Sequence, residues 1–281
     1  QKIDQAMIYF PNAKINLGLR VTSRREDGFH DLDTVFFPVQ LHDVIEVITH
    51  STSSADAVTF THAGIPIPGE ASSNLCIKAY HLLKKDYPDL PSILLHLHKH
   101  IPMGAGLGGG SSDGAFMLKL LNDKYRLGIG EDQLRHYALQ LGSDCPFFII
   151  NQPVQATGRG EIMQPITCAL SSKTIVLVCP GIHVSTADAF RKIKLSPNAP
   201  ACAAIVERPI QEWKNNLIND FEEPVFNAFP EIATIKEKLY NAGAAYASMT
   251  GTGSTVYGIF ETSPSLKDLF PSNYQLESIV C

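Results

Sequence analysis

No stretch of this sequence approaches the roughly 20 consecutive apolar residues that a membrane-spanning helix needs, and none is repetitive or of low complexity. An excess of positive charge is also missing. Lys and Arg number 23 against 28 Asp and Glu, a formal net charge of −5. That balance argues against a nucleic-acid partner, which needs a basic face to neutralise phosphates, although a local basic pocket stays open. Cysteine is sparse and scattered: Cys76, Cys145, Cys168, Cys179, Cys202 and Cys281 form no C-x-x-C and no zinc-ligand spacing. Reduced thiols are expected rather than a disulfide framework. Residues 1–6 carry neither the apolar core of a signal peptide nor an Arg-rich transit pattern. Gln1 is not a start residue, so Met7 is the candidate native start. The expectation is a soluble cytoplasmic protein that binds neither nucleic acid nor membrane.

What is present supports substantial cores. Hydrophobic residues make up 44% of 281 positions and charged residues 18%, enough for one large domain or two ordinary ones. From Ile8 to Leu19 the sequence alternates, which predicts a strand with Ile15, Leu17 and Leu19 on one face and Lys14 and Asn16 on the other. A charged loop at 23–28 follows, then strands over 33–41 and 44–48. Residues 51–73 read as strand fragments and loops. Helices are expected over 74–85, 112–122 and 131–141, and a strand over 93–101 whose His96, His98 and His100 share a face. In the second half, 174–179 is a short apolar strand, and Ser185 with Asp188 resembles a capping box opening a helix through Lys192. Further helices are expected over 212–219 and 231–241, with strands over 246–249 and 255–260. The chain divides near Gln155 into two α+β domains, 1–155 and 156–281.

The most informative segment is Pro102-Met103-Gly104-Ala105-Gly106-Leu107-Gly108-Gly109-Gly110-Ser111-Ser112. Five glycines in seven residues cost chain entropy, so they answer a structural need. The need is either a loop whose backbone N–H groups approach a polyphosphate before a helix opens, or a tight structural turn. A dinucleotide site is a poor fit. Gly104-x-Gly106-x-x-Gly109 matches its pattern, but Pro102 lengthens the loop, and Asp123 lies in a helix-ending segment rather than at a second parallel strand. A P-loop fails for want of a Lys directly after the glycines.

The whole segment resembles the second motif of the GHMP kinases, P-x-x-x-G-L-G-S-S-A. It departs by Gly109-Gly110 ahead of Ser111-Ser112, a longer run typical of the diphosphocytidyl-methylerythritol kinases within that superfamily. Gly114 stands where many relatives have Ala. The family's first motif resembles Pro11–Leu19, followed by Arg25–His30, and its third resembles Met249–Ser254. Gly142–Phe147, Ala156–Glu161 and Asn219–Glu222 also look like family elements, all in family order. The resemblance implies an α+β, two-domain fold: an N-terminal domain of the ribosomal protein S5 domain 2 type, a ferredoxin-like C-terminal domain, and a site in the cleft between them. It implies that ATP, with Mg²⁺, phosphorylates the 2-hydroxyl of the methylerythritol unit of a cytidine-diphosphate substrate, in the non-mevalonate route to isoprenoid precursors.

Roles follow from phosphoryl transfer, which asks for positioning, charge neutralisation and a group to accept the hydroxyl proton. Asp144, in a Gly-Ser-Asp-Cys-Pro loop, is either that base or the N-cap of a helix whose first turn holds Pro146; the resemblance favours the base. Lys14 alone reads as a solvated strand lysine. The resemblance makes it the cation that orients Asp144 and the acceptor hydroxyl, with Asn16 bonding substrate. Phe29, otherwise a core residue, is implied to stack on cytosine while His30 bonds the base edge. The resemblance also implies that Thr186 and Phe190 close the other side, that Asn74, Leu75 and Lys99 border the adenine, and that residues 102–112 hold the phosphates. No metal ligand is assigned, since the histidine triplet has no acidic or cysteine partner near it in sequence. The competing readings are another GHMP kinase, of the homoserine or mevalonate type, and a nucleotide-binding protein without catalysis.

Overall fold

A computed structural model describes residues 5–50, 57–266 and 268–281. The readings placed on residues 1–4 and 51–56 lie outside these. The described chain is mixed α+β, as expected, and forms two compact units. One holds Gln1–Ala13, Leu41–Met103 and Gly108–Asn151; the other holds Lys14–Gln40, Gly104–Leu107 and Gln152–Cys281.

The first unit is built on a four-stranded sheet ordered β1-β4-β6-β5, from β1 (Met7–Tyr9), β4 (Val44–Thr49), β5 (Val58–Gly64) and β6 (Ile93–Lys99). Only β5–β6 is parallel; α1 (Leu75–Asp86) lies in the crossover joining them. In β6 the alternation behaves as read, with Ile93, Leu95 and Leu97 buried. Asn74 caps α1 by accepting the Cys76 N–H at 2.8 Å, and Lys84 and Lys85 complement its C-terminus. The central helix, α2 (Gly109–Tyr125), packs against α1, α3 (Glu131–Leu141) and α4 (Cys145–Ile150). Gly114 has a packing reason here: a Cβ there would come within 2.9 Å of the Leu75 Cβ. The glycine lowers helix propensity but lets α1 and α2 approach.

The second unit contains two four-stranded sheets. One is β2 (Asn12–Arg24), β3 (His30–His42), β7 (Val154–Gly158) and β8 (Ile162–Pro165); the other is ordered β10-β11-β9-β12. The latter strands are Tyr246–Met249, Val256–Phe260, Thr174–Cys179 and Gln275–Val280 in that order. β9 is buried along its whole length and is paired on both edges, by β11 and β12. Ser185 caps α5 (Thr186–Arg191), its hydroxyl accepting the Asp188 N–H at 3.3 Å, the N-cap half of the expected capping box. Shorter helices α6 (Cys202–Val206) and α7 (Glu222–Ala228) precede α8 (Pro230–Asn241). Buried Val176, Val178, Phe221, Ile232, Leu239 and Met249 belong to one core.

Two expectations need correction. The single strand over 8–19 is two, broken at Pro11, which has no N–H to give a ladder. The helix over 212–219 is absent: a 3-10 turn at Ile210–Glu212 gives way to turns. The side-chain amide of Asn216 donates to the Glu212 carbonyl at 2.7 Å. It takes the acceptor that the Asn216 N–H would use in an α-helix, and that N–H turns to Trp213 instead.

Candidate active site

The segments that read as separate motifs meet in the second unit. Gly106 sits at φ +80°, and a Cβ there would overlap the Thr250 carbonyl oxygen and lie 2.9 Å from its carbonyl carbon. Only glycine tolerates both the left-handed backbone and that approach. Thr250 Oγ1 donates to the Gly106 carbonyl at 3.1 Å and accepts the Asn16 N–H at 3.0 Å. Leu107 accepts the Lys14 N–H at 2.9 Å, and Ala105 accepts the Thr255 N–H at 3.2 Å. The block at 219–222 braces this junction from behind. The buried Asn219 amide donates to the carbonyls of Met249 and Gly251 at 2.7 and 2.9 Å, while Glu222 accepts from the Met249 N–H and the Ser248 hydroxyl.

Lys14 is not a solvated strand lysine. It is 4% exposed, its Nζ donates to Asn16 Oδ1 at 2.6 Å and lies 4.8 Å from the Phe36 ring centroid. Asn16 Nδ2 donates in turn to Thr34 Oγ1, whose hydroxyl bonds the Gly18 carbonyl. The pair Lys14–Asn16 is therefore fixed in orientation by β3.

In the first unit, Gly108 at φ +70° turns the chain into α2. The N–H groups of the first turn of α2 have no carbonyl partner within the helix, and its dipole favours an anion there. Gly110 would meet nothing within 4 Å if it carried a Cβ. Ser112 Oγ is buried and has no partner among the described residues, and an orphaned buried hydroxyl costs stability until something bonds it. Open glycine backbone, a helix N-terminus and an unpartnered hydroxyl fit a polyphosphate. Along the lead-in, Met103 is exposed and Pro102 half-buried.

Beneath this turn lies a buried ion cluster. Lys99 Nζ bonds Asp43 Oδ2, and Asp113 Oδ2 at 2.8 Å. Burial pulls the Lys99 ammonium down, but the two carboxylates more than offset that and hold it above its ordinary value. Burial pushes Asp113 up to about 8 against the pull of Lys99. The side chain of Lys99, expected at the adenine, is thus engaged with carboxylates. Asn74 is occupied as the α1 cap and Leu75 packs against Gly114.

Asp144 holds the N-cap place of α4 but makes no side-chain capping hydrogen bond, and its backbone is already helical (φ −83°, ψ −17°). The next residue, Cys145, has its thiol pushed up to about 12 by burial and is bonded to Ser111. Asp144 therefore stands one residue from a group that touches the first turn of α2.

The expected cytidine residues gather in the second unit. The rings of His30 and Phe190 stack with centroids 5.0 Å apart, and Phe190 meets Phe221 edge-on at 4.8 Å. Burial, then Arg24, lowers the His30 pKa, which keeps the imidazole neutral near pH 7. Phe29 is 55% exposed, with the Arg159 guanidinium 5.2 Å from its ring centroid. The hydroxyls of Thr186 and Thr252 are 3.1 Å apart. Arg159, Asp43 and Asp113 received no role from the sequence. Arg159 lies within a block singled out for its family likeness and had a signal; the two aspartates had none.

Residues 74–152 match the GHMP kinases N terminal domain and residues 201–270 match GHMP kinases C terminal. A 4-diphosphocytidyl-2-C-methyl-D-erythritol kinase of Azobacteroides pseudotrichonymphae is 51% identical, covering 91% of this chain and 94% of the relative. One of Bacteroides fragilis is 50% identical, covering 90% and 92%. The crystal structure of a 4-(cytidine 5'-diphospho)-2C-methyl-D-erythritol kinase matches with a TM-score of 0.78 at 32% identity, covering 91% of each chain. A homoserine kinase of Cytophaga hutchinsonii matches with a TM-score of 0.71 at 14% identity, covering 99% of this chain and 95% of its own, a likeness of fold alone.

Proposed function

The chain belongs to the GHMP kinases, in the branch of the 4-diphosphocytidyl-2-C-methyl-D-erythritol kinases, and from that membership we propose how it works. It is an ATP-dependent small-molecule kinase, and its substrate is 4-diphosphocytidyl-2-C-methyl-D-erythritol, phosphorylated at the 2-hydroxyl. The identity of 51% over most of both chains carries this reading. The extended glycine run and the Phe29-His30 block favour it over a homoserine or mevalonate kinase. Retention of Lys14 and Asp144 favours it over a non-catalytic nucleotide binder. The reading keeps the division at residues 1–155 and 156–281, which falls between the two matched domains, and places the enzyme in the cytoplasm.

Residues 102–112 take the phosphates of ATP, through glycine N–H groups and the Ser112 hydroxyl. Mg²⁺ accompanies the nucleotide and spreads its charge. Asn74, Leu75 and Lys99 border the adenine, Lys99 through atoms other than its ammonium. Phe29 offers a face to cytosine and neutral His30 an edge, held upright by Phe190, with Thr186 alongside. Asn16 bonds the acceptor sugar. Asp144 takes the hydroxyl proton as attack on the γ-phosphorus begins, and Lys14 supplies the cation for the charge that develops.

Asp144→Asn tests the assignment of the base. Asn retains the shape and one acceptor but takes no proton, so turnover should fall by roughly 10²–10⁴-fold with ATP binding nearly unchanged. Lys14→Ala should also lose rate, and the double mutant should lose less than the product of the two. If Asp144 serves only as the residue before α4, where it makes no side-chain capping bond, Asp144→Asn is silent; a fully active variant would remove the base from this residue.

A further inference from the structure

The ion cluster beneath the α2 turn has an asymmetry that the reaction as described does not use. One ammonium, Lys99, serves two buried carboxylates. Asp43 receives three donors: Lys99, and the N–H groups of His100 and Ile101 at 2.6 and 2.9 Å. Asp113 receives Lys99 alone among the described residues, and its Oδ1 is buried without a hydrogen-bond partner. With both carboxylates ionised the cluster carries a net negative charge. It lies against the loop read as the phosphate site: a Cβ on Gly109 would be 3.0 Å from the Lys99 ammonium. Ser112, next to Asp113, carries a second buried polar atom without a hydrogen-bond partner among the described residues.

We propose that Asp113 is a positioning residue of the nucleotide loop that carries a proton whenever the loop holds phosphate, so that ATP binding is coupled to proton uptake. This deepens the nucleotide reading of that loop and rests on it. A polyphosphate arriving over Gly108–Ser112 brings negative charge toward a carboxyl that has the weakest claim on the shared ammonium. Protonation leaves Lys99 and Asp43 as a neutral pair beneath the loop. The sign follows from the direction of the shift. Burial already pushes Asp113 up to about 8, and added phosphate charge raises it further. Proton binding is then tighter in the complex, and ATP affinity falls as pH rises through about 8. The groups facing Asp113 are Lys99 from β6, Asp43 from the β3–β4 turn and the Cys76 thiol from α1. Lys99 and Cys76 are both raised, which keeps them from titrating in this window. A phosphate monoester has its second pKa at about 6, so the terminal phosphate of ATP is mostly ionised at pH 7 and gains rather than loses charge as pH rises.

Isothermal titration of the full chain with Mg-ATP between pH 7 and pH 9 tests this. Affinity should drop about five- to tenfold across that range, and heats in buffers of different ionisation enthalpy should show uptake of a fraction of a proton at pH 8. Asp113→Asn holds the neutral shape permanently, so its profile should be flat. An unchanged pH slope in Asp113→Asn overturns the proposal. Should that variant fail to fold, the wild-type buffer dependence decides: ATP binding with no proton uptake overturns the proposal and leaves the nucleotide reading standing. A folded wild-type protein that binds no ATP at any pH overturns both.

Discussion

Replacing Gly106 by alanine perturbs the meeting point of the three motif segments with one methyl group. Two costs are built into the site. The backbone is left-handed at φ +80°, which costs an L-residue about 1–2 kcal/mol relative to glycine. The new Cβ would also overlap the Thr250 carbonyl and come to 2.9 Å from its carbon, so residues 104–107 and Thr250 must separate by on the order of 1 Å. A misplacement of that size costs roughly 10²-fold in rate where reacting groups must be aligned. Gly106→Ala should therefore melt roughly 2–8 °C lower and lose about two orders of magnitude in kcat/KM for ATP, read by steady-state phosphoryl transfer and thermal unfolding. Gly110→Ala is the control: its Cβ meets nothing in the protein and adds helix propensity, so any rate it loses belongs to the ligand. A Gly106→Ala enzyme with wild-type melting and kinetics would refute the steric argument and its conclusion that the junction positions the loop.

Asn219→Ala removes the donor to two buried carbonyls and the acceptor for the Phe221 N–H. It should destabilise the chain by about 2–4 kcal/mol in denaturant unfolding; a loss under about 0.5 would mean the brace is dispensable. Phe29→Ala and His30→Ala should each weaken the cytidine substrate by about 1–3 kcal/mol, as for a lost base stack, leaving ATP KM nearly unchanged. Because burial lowers the His30 pKa, cytidine-substrate affinity should stay level through neutrality and fall only on acidification, as the imidazole takes a proton. A fall on the alkaline side instead would contradict a neutral His30.

The regular elements were legible wherever one period dominated. The alternation in 93–99, the apolar run at 174–179 and the Ser185 N-cap all describe local physics, and the structure repeats them. Elements missed in the second half, such as β8, with no fully buried residue, and the half-exposed β12, lack a one-sided apolar pattern. The expected helix at 212–219 had helical composition but lost to the Asn216 side chain, an interaction no periodicity reveals. Site residues carried by glycine were readable because glycine in such density has few other reasons to exist. Asp43 and Asp113 were not: one stands in a turn and the other in a helix, 70 positions apart, and only the fold brings both to Lys99.

The reaction itself can be read directly. Purified protein is given Mg-ATP with 4-diphosphocytidyl-2-C-methyl-D-erythritol, homoserine or mevalonate, and phosphorylated product is followed by ³¹P NMR. Transfer to the 2-hydroxyl of the cytidine compound is expected, with kcat/KM well above that for either other alcohol. Better turnover of homoserine or mevalonate, or no transfer by a folded, ATP-binding chain, would contradict it.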